Sequence, residues 1–299
     1  MTTALAPMEG VTDLAFRQVV IKAGRPDIFY TEFTNVKSLV SPAGRNNTLE
    51  RLRFLSKEMP IVPQLWGSDP EAFREASHIV RDLGYKEIDV NTGCPDKNVV
   101  KTGGGSALIK NPSLVREIVE ATKSAGLPVT VKTRLGFGSL SEWQDWLGFL
   151  LSLGLPMLTV HLRTKKEMSK VPAHHELIPE VLALCREKAP QTKIMLNGDF
   201  ASPQHFREIV PDENVGVMIG RGVFANPFCF GSTPDTKENR LELFRYHIDL
   251  YDKLGGREFA ALKRFFKIYV NSFAGASELR EQLMNTRSTS EVREVMSWT

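Results

Sequence analysis

Eight short apolar runs, each followed by an amphipathic stretch, restrict the fold of this chain more than any other feature. The runs cover residues 4–8, 28–31, 61–65, 87–91, 129–133, 158–161, 193–197 and 215–219. Between several of them lie segments of helical periodicity, at 70–83, 112–125, 142–153, 175–188 and 203–209. A proline stands near the first turn of most of these, where its fixed φ suits a helix start and its missing N–H costs nothing. Alternating strand and helix signals build a parallel sheet. Eight such units predict an α/β chain of the (β/α)8 barrel type.

In such a barrel the functional side chains stand where strands end. Here those ends carry Pro7, Met8 and Glu9; Glu32; Gln64; Asn91 to Cys94; Lys132 and Arg134; His161 and Arg163; Asn197, Gly198 and Asp199; and Gly220, Arg221 and Gly222. Polar and glycine residues therefore gather on one rim. After Pro227 the character changes. Residues 231–240 are polar and read as a linker, and helical patterns follow at 241–254, 259–273, 276–283 and 290–296. The organisation predicted is a barrel over 1–230 and a small all-helical domain over 240–299.

The chain has 299 residues, 42% of them hydrophobic, enough for one large barrel core. No apolar run reaches membrane-spanning length, and the first residues lack the pattern of a signal peptide, so a cytoplasmic protein is expected. Three cysteines, Cys94, Cys185 and Cys229, form no close pair, which argues against a disulfide framework or a metal cluster. Cys185 and Cys229 sit in apolar patterns and read as core. The formal charge of +3 permits a nucleic-acid partner without demanding one.

Cys94 lies in Asn91-Thr92-Gly93-Cys94-Pro95, directly after an apolar strand and before the glycine-rich Gly103-Gly104-Gly105. It has three open roles: nucleophile, proton donor or inert turn residue. Asn197-Gly198-Asp199 and Gly220-Arg221-Gly222 follow the seventh and eighth strands, where barrels commonly bind phosphate. Small residues admit the anion to backbone N–H groups, and Arg221 offers a forked donor. Lys132, closing its strand, could hold an anionic ring edge or form a Schiff base. Gln64 offers donor and acceptor to a flat heterocycle. His161 reads either as a satisfied core residue or as part of the site, and Arg163, Lys165, Lys166 and Lys170 make a basic loop beside the mouth.

These motifs resemble a known family. Ala6-Pro7-Met8-Glu9-Gly10-Val11-Thr12-Asp13, Thr31-Glu32-Phe33, Asn91-Thr92-Gly93-Cys94-Pro95, Gly103-Gly104-Gly105-Ser106-Ala107-Leu108, Val131-Lys132-Thr133-Arg134, His161-Leu162-Arg163-Thr164, Asn197-Gly198-Asp199 and Met218-Ile219-Gly220-Arg221-Gly222 occur in the order of the bacterial tRNA-dihydrouridine synthases. Ala261-Leu262-Lys263-Arg264 and Ala276-Ser277-Glu278-Leu279-Arg280 carry the resemblance into the tail. The resemblance implies FMN-dependent reduction of the C5=C6 bond of uridine in tRNA, with NADPH as reductant. It implies that Pro7, Met8, Glu9, Gln64, Lys132 and His161 lie against the flavin. Asn197, Gly198, Asp199, Gly220 and Arg221 would hold its phosphate, and Cys94 would be the proton donor. Asn91 would orient the uracil, while Arg134, Arg163, Lys165, Lys263 and Lys267 would meet RNA. Lys263 and Lys267, four apart, should share a helix face.

The triple glycine and the chain length resemble the subgroup acting at position 16 of tRNA. The segment 165–174 departs from the family, lacking the Gly-Tyr core often found after its His-x-Arg-Thr motif. A monomer without metal is the default expectation. Three other readings stand beside this one: an FMN barrel acting on free pyrimidines, a flavin-free lyase using Lys132, and a non-catalytic RNA-binding module. Only the first two of these four readings in all, the RNA reductase and the pyrimidine enzyme, require a flavin.

Overall fold

A computed structural model describes residues 1–255 and 258–298. Its strands are β1 Thr3–Leu5, β2 Phe29–Tyr30, β3 Thr34–Asn35, β4 Ile61–Val62, β5 Gln64–Trp66, β6 Ile88–Asn91, β7 Val129–Gly136, β8 Met157–Thr164, β9 Lys193–Asn197 and β10 Gly216–Ile219. All pairings are parallel. One sheet runs β1-β10-β9-β8-β7-β6-β5-β3, and β2 pairs with β4. The ring closes where Leu5 N–H donates to Ile28 O (3.1 Å) and Ile28 N–H to Thr3 O (3.0 Å). The result is a (β/α)8 barrel.

Two of its eight staves are broken. The predicted run 61–65 divides at Pro63, which has no N–H to give the ladder. The run 28–31 gives way after Tyr30, and the chain resumes pairing at β3, a strand the apolar pattern did not announce. The Thr31 hydroxyl bridges the gap by accepting from Gln64 N–H (3.3 Å).

Alternation of side chains sorts each strand between two cores. Leu5, Phe29, Ile61, Leu158, Leu196 and Val217 face the surrounding helices and join the main core. Their neighbours Ala4, Tyr30, Val62, Met157, Met195 and Met218 form a separate, smaller cluster with Ala6. That cluster is the barrel's apolar floor. Above it the inward positions turn polar, with Gln64, Asp89, Asn91, Lys132 and Asn197. Helices follow most strands. Asp69, Asp96, Asn111 and Ser202 cap helix starts by accepting backbone N–H bonds.

The tail departs from its sequence reading in two places. The segment 231–240 is not linker throughout, because Thr236 caps a helix that begins at Lys237 and runs Lys237–Leu254. The pattern at 259–273 is not one helix. It divides into Phe259–Leu262, a tight turn Lys263–Phe265 and Phe266–Tyr269, and it stops at Val270. The remaining helices are Ala276–Asn285 and Thr289–Val295. Among the described residues no helix is long and apolar enough to cross a membrane.

Phe16, on helix Leu14–Ala23 of the barrel, stacks on Phe265 of the tail at 5.0 Å and meets His247 at 6.1 Å. Arg264 reaches back to Gly10 O at 2.8 Å. Barrel and tail thus share one apolar seam. Phe16→Ala removes a fully buried ring from it, so a loss of about 3–5 kcal/mol is expected in urea denaturation. Cleavage by a protease within 237–298 should appear before cleavage in the barrel.

Candidate active site

The C-terminal ends of the strands surround a cavity lined by Pro7, Met8, Gln64, Asn91, Cys94, Lys132, Arg134, His161, Arg163, Asn197, Gly198, Asp199, Gly220 and Arg221, among others. Sequence reasoning singled out every one of these. The turn Asn197-Gly198-Asp199 has left-handed backbone at Gly198 (φ 127°) and Asp199 (φ 55°), which only a glycine adopts easily at the first of the two. A Cβ on Gly222 would stand 2.8 Å from Ala201 O, so glycine is required there for the two loops to meet.

Four cations face this cavity with one carboxylate, Asp199. Asp199 bonds both Arg163 and Arg221, the latter at 2.9 Å. Burial works against the Asp199 charge, but Arg163, Ala173 N–H and Arg221 hold its carboxyl below the usual range. Burial, helped by Arg134, pulls the Lys132 ammonium down to about 8. Its Nζ donates to Asn197 Oδ1 at 3.3 Å. Burial and the surrounding cations Arg134, Lys132, Arg163 and Arg221 push His161 well below the usual imidazole range, so it is neutral. An arginine can only donate, and Arg163 Nη1 lies 3.1 Å from His161 Nε2. His161 therefore accepts at Nε2 and carries its proton on Nδ1.

Cys94 is partly buried, and burial pushes its thiol up from the ordinary value. Its backbone N–H donates to Asn91 Oδ1 at 2.8 Å, and Gly93 N–H donates to the same oxygen at 3.0 Å. Cys185 and Cys229 are buried in the core.

Other predicted site residues have partners of their own or stand elsewhere. Glu9 lies outside this cavity. It stands in the turn closed by Val11 N–H on Met8 O (3.0 Å), and Arg51 grips both its oxygens at 2.6 and 2.7 Å. Arg134 and Arg163 are 5% and 2% exposed, and both serve as struts. Arg134 donates to Gly93 O, Thr164 O and Met168 O, and Arg163 to Val171 O, His161 and Asp199. Lys165 is absent from the cavity wall and sits over the Phe137 ring at 4.9 Å.

Lys263 and Lys267 do not share surroundings, because the tight turn at Lys263–Phe265 breaks the helical register between them. Lys263 donates to Met284 O at 2.7 Å. Lys267 lines a second cavity with Arg221, Arg264, Phe224 and Phe265.

Sequence reasoning passed over Phe33, which lines the mouth, and Asp89 beneath it. The signal for Asp89 was available: a carboxylate in the middle of the apolar run Ile88-Asp89-Val90. Among the described residues no group of three or more His, Cys, Asp or Glu side chains could hold a metal.

Fold and mouth define a barrel enzyme shaped to hold an anionic ligand beside a protonated thiol. A family model described as dihydrouridine synthase (Dus) matches residues 4–297. A probable tRNA-dihydrouridine synthase 2 of Bacillus subtilis is 48% identical over 298 residues, covering 98% of this chain and 92% of that protein. A probable tRNA-dihydrouridine synthase of Staphylococcus aureus is 49% identical over 298 residues, covering 98% and 91%. Among solved structures, histamine dehydrogenase from Rhizobium sp. aligns with a TM-score of 0.55 at 15% identity, over 87% of this chain and 50% of that one. The old yellow enzyme of Trypanosoma cruzi aligns at 0.50 and 11% identity, over 75% and 85%. At these identities the two structures share the barrel fold alone. The chain belongs to the dihydrouridine synthase family, and it is an enzyme.

Anion binding should be linked to the Lys132 proton. Below about pH 8 the ammonium is charged and attracts an anion; above it the charge is lost. An anion in the mouth should therefore raise the Lys132 pKa and take up protons. Calorimetric titration with inorganic phosphate near pH 8, in buffers of different ionisation enthalpy, should show that uptake. Affinity should fall as pH rises further. Lys132→Gln should abolish the proton uptake.

Proposed function

We propose that this chain reduces the C5=C6 bond of uridines in tRNA, using FMN as cofactor and NADPH as reductant. The observation that carries the reading is a mouth with four cations, one carboxylate and a protonated thiol on its rim. A cofactor with a phosphate and an electron-poor ring suits that surplus of positive charge. Gly198, Asp199, Gly220 and Arg221 would take the phosphate, since the left-handed turn exposes backbone N–H groups to an anion. Lys132, Gln64, His161 and Asn197 would lie along the ring, with Lys132 at its anionic edge. Pro7 and Met8 would support one side. Glu9, held by Arg51, has no place in this set.

The chemistry a reduced flavin would supply when held by these residues is hydride for C6 of the uracil. Reduction of the double bond then needs one proton at C5. Cys94 would deliver it. Burial keeps the thiol protonated beyond the ordinary thiol range, so the acid is present throughout neutral pH. The uracil must leave its stack to reach a barrel mouth, at a cost of a few kcal/mol. Unpaired loop uridines are the easier targets.

RNA would run from the mouth toward the tail, with residues 1–230 supplying the chemistry and the helical segment 240–299 much of the grip. The second cavity joins Arg221 at the mouth to Arg264 and Lys267 on the tail, over a floor of Phe224 and Phe265. No carboxylate lines it. Cations over an apolar floor fit phosphate and sugar, which position an RNA without reading its sequence. Lys267→Glu should weaken tRNA binding uniformly across tRNA species. The slope of log affinity against log salt should shrink by about one.

The deciding experiment is complementation of a deletion strain, with dihydrouridine mapped by mass spectrometry. The wild-type gene should restore dihydrouridine in tRNA. Cys94→Ala should not, while the purified variant should still bind FMN and oxidise NADPH. A map unchanged by the deletion, in a strain without a redundant enzyme, would overturn the proposed activity. Full dihydrouridine with Cys94→Ala would show that the proton comes from another group.

A further inference from the structure

Beneath the mouth a chain of hydrogen bonds runs from a fully buried carboxylate to the backbone of Cys94. Asp89, 0% exposed on β6, accepts from Thr130 Oγ1 at Oδ1 (2.7 Å) and from Gln64 Nε2 at Oδ2 (2.7 Å). Gln64 Oε1 accepts from Asn91 Nδ2 at 2.8 Å. Asn91 Oδ1 accepts from both Gly93 N–H and Cys94 N–H. Every link joins a donor to an acceptor.

The direction of this chain is fixed from both ends. Two backbone N–H groups can only donate, so Asn91 must turn its oxygen to them. Its Nδ2 then needs an acceptor, so Gln64 must present Oε1. Gln64 is left with Nε2 toward β6, where only an acceptor satisfies it. The Asp89 carboxylate is that acceptor. Burial pushes its pKa up to about 6, while the donors Gln64 and Thr130 and the charge on Lys132 work against that rise, so it is ionised at neutral pH. A neutral apolar residue there would leave the Gln64 amide free to turn over. A turned Gln64 sets N–H against N–H at Asn91, and a turned Asn91 does the same at the cysteine loop.

We infer that Asp89 is a positioning residue for the Cys94 proton donor: it locks the amide orientations of Gln64 and Asn91 and thereby fixes the loop that carries the thiol. Asp89 does not line the cavity. It acts through Gln64 and Asn91, five residues before Cys94 in sequence but on the strand that launches its loop. The inference deepens the reading of Cys94 as the acid and rests on it for its catalytic consequence. The geometric part stands without any cofactor.

Asp89→Asn and Asp89→Ala separate the relay from simple packing. Asparagine can turn its oxygen to Gln64 Nε2 and its Nδ2 to the Thr130 hydroxyl, which keeps every link and removes only the charge. Alanine removes the acceptor. Labelling with 15N-cysteine gives the protein three reporter amides, Cys94, Cys185 and Cys229, and needs neither flavin nor RNA. With Asp89→Ala the Cys94 amide resonance should move upfield as its hydrogen bond is lost, with the two core cysteines unmoved. With Asp89→Asn all three should stay in place.

In the loaded enzyme, single-turnover uridine reduction should fall about tenfold or more with Asp89→Ala at unchanged KM for tRNA. Most of that loss should be recovered with Asp89→Asn. If Asp89→Ala does not fold, Gln64→Met cuts the same relay one link later and should displace the Cys94 resonance alone. An unmoved Cys94 resonance in the variants that cut the relay, or equal displacement with Asp89→Asn and Asp89→Ala, overturns the inference. Neither result bears on whether Cys94→Ala loses dihydrouridine, so the two readings fail separately.

Discussion

The mouth is built around repulsion. Lys132, Arg134, Arg163 and Arg221 converge on one cavity, and Asp199 is the only carboxylate among its lining residues. Burying charges of one sign is costly unless each finds partners. The chain supplies those partners mainly as backbone carbonyls. Arg134 takes three, Gly93 O, Thr164 O and Met168 O, and Arg163 takes Val171 O. The segment following β8 is thereby tied down by the cations it covers. Glu167 completes the tie by accepting from Thr164 N–H at 2.7 Å and meeting His174 at 2.9 Å. What sequence shows as a basic loop is therefore partly a wall, studded by Arg163 and by Arg134 from β7. Remaining positive charge on Lys132 and Arg221 is what a ligand would meet.

The barrel was legible because a parallel sheet buried on both faces leaves continuous apolar runs, and eight such runs cannot easily be arranged otherwise. The breaks in two staves were harder to see. Pro63 announces one, but β3 at Thr34–Asn35 is two residues of polar sequence held by pairing with Leu65 and Trp66. The rim was legible because strand ends are fixed in sequence and their side chains must converge. Direction was not. Glu9 follows Met8 directly, yet it stands in the turn that Val11 N–H closes on Met8 O, and its carboxylate goes to Arg51 instead of the mouth. The shared face expected of Lys263 and Lys267 is lost for a related reason. Spacing of four implies one face only while the helix is regular, and the turn at Lys263–Phe265 is not.

Asp89 shows a different limit. A charge within an apolar strand is visible in sequence, but its meaning depends on what stands across two neighbouring strands. Gln64 on β5 and Thr130 on β7 flank it only because the register pairs Gln64 with Asp89 and Asp89 with Thr130. Parallel pairing sets these three side chains at one height, inside the ring, just above the apolar floor. The lower half of the barrel is filled by Met157, Met195, Met218, Tyr30 and Val62, an apolar cluster that offers a stray amide little to bond. Partly satisfied polar groups over an apolar floor are costly. Each link from Asp89 through Gln64 and Asn91 to Cys94 is made, and that gives the chain of amides its direction.

That direction bears on whether Cys94 is an acid or a nucleophile. A nucleophilic cysteine needs a base to take its proton, or a cation close enough to hold the thiolate. His161 is the imidazole in the cavity, and its Nε2 already accepts from Arg163, while burial and four surrounding cations oppose its protonation. It cannot take a second proton from the thiol at neutral pH. Arg134 and Lys132 do favour the thiolate, but burial outweighs them and the thiol stays protonated. Cys94 is also fixed through its backbone by a chain of amides, not through its sulfur by a charged partner. A thiol held in place by its main chain, neutral and facing a cation-lined mouth, suits the proposed role of proton donor better than that of nucleophile.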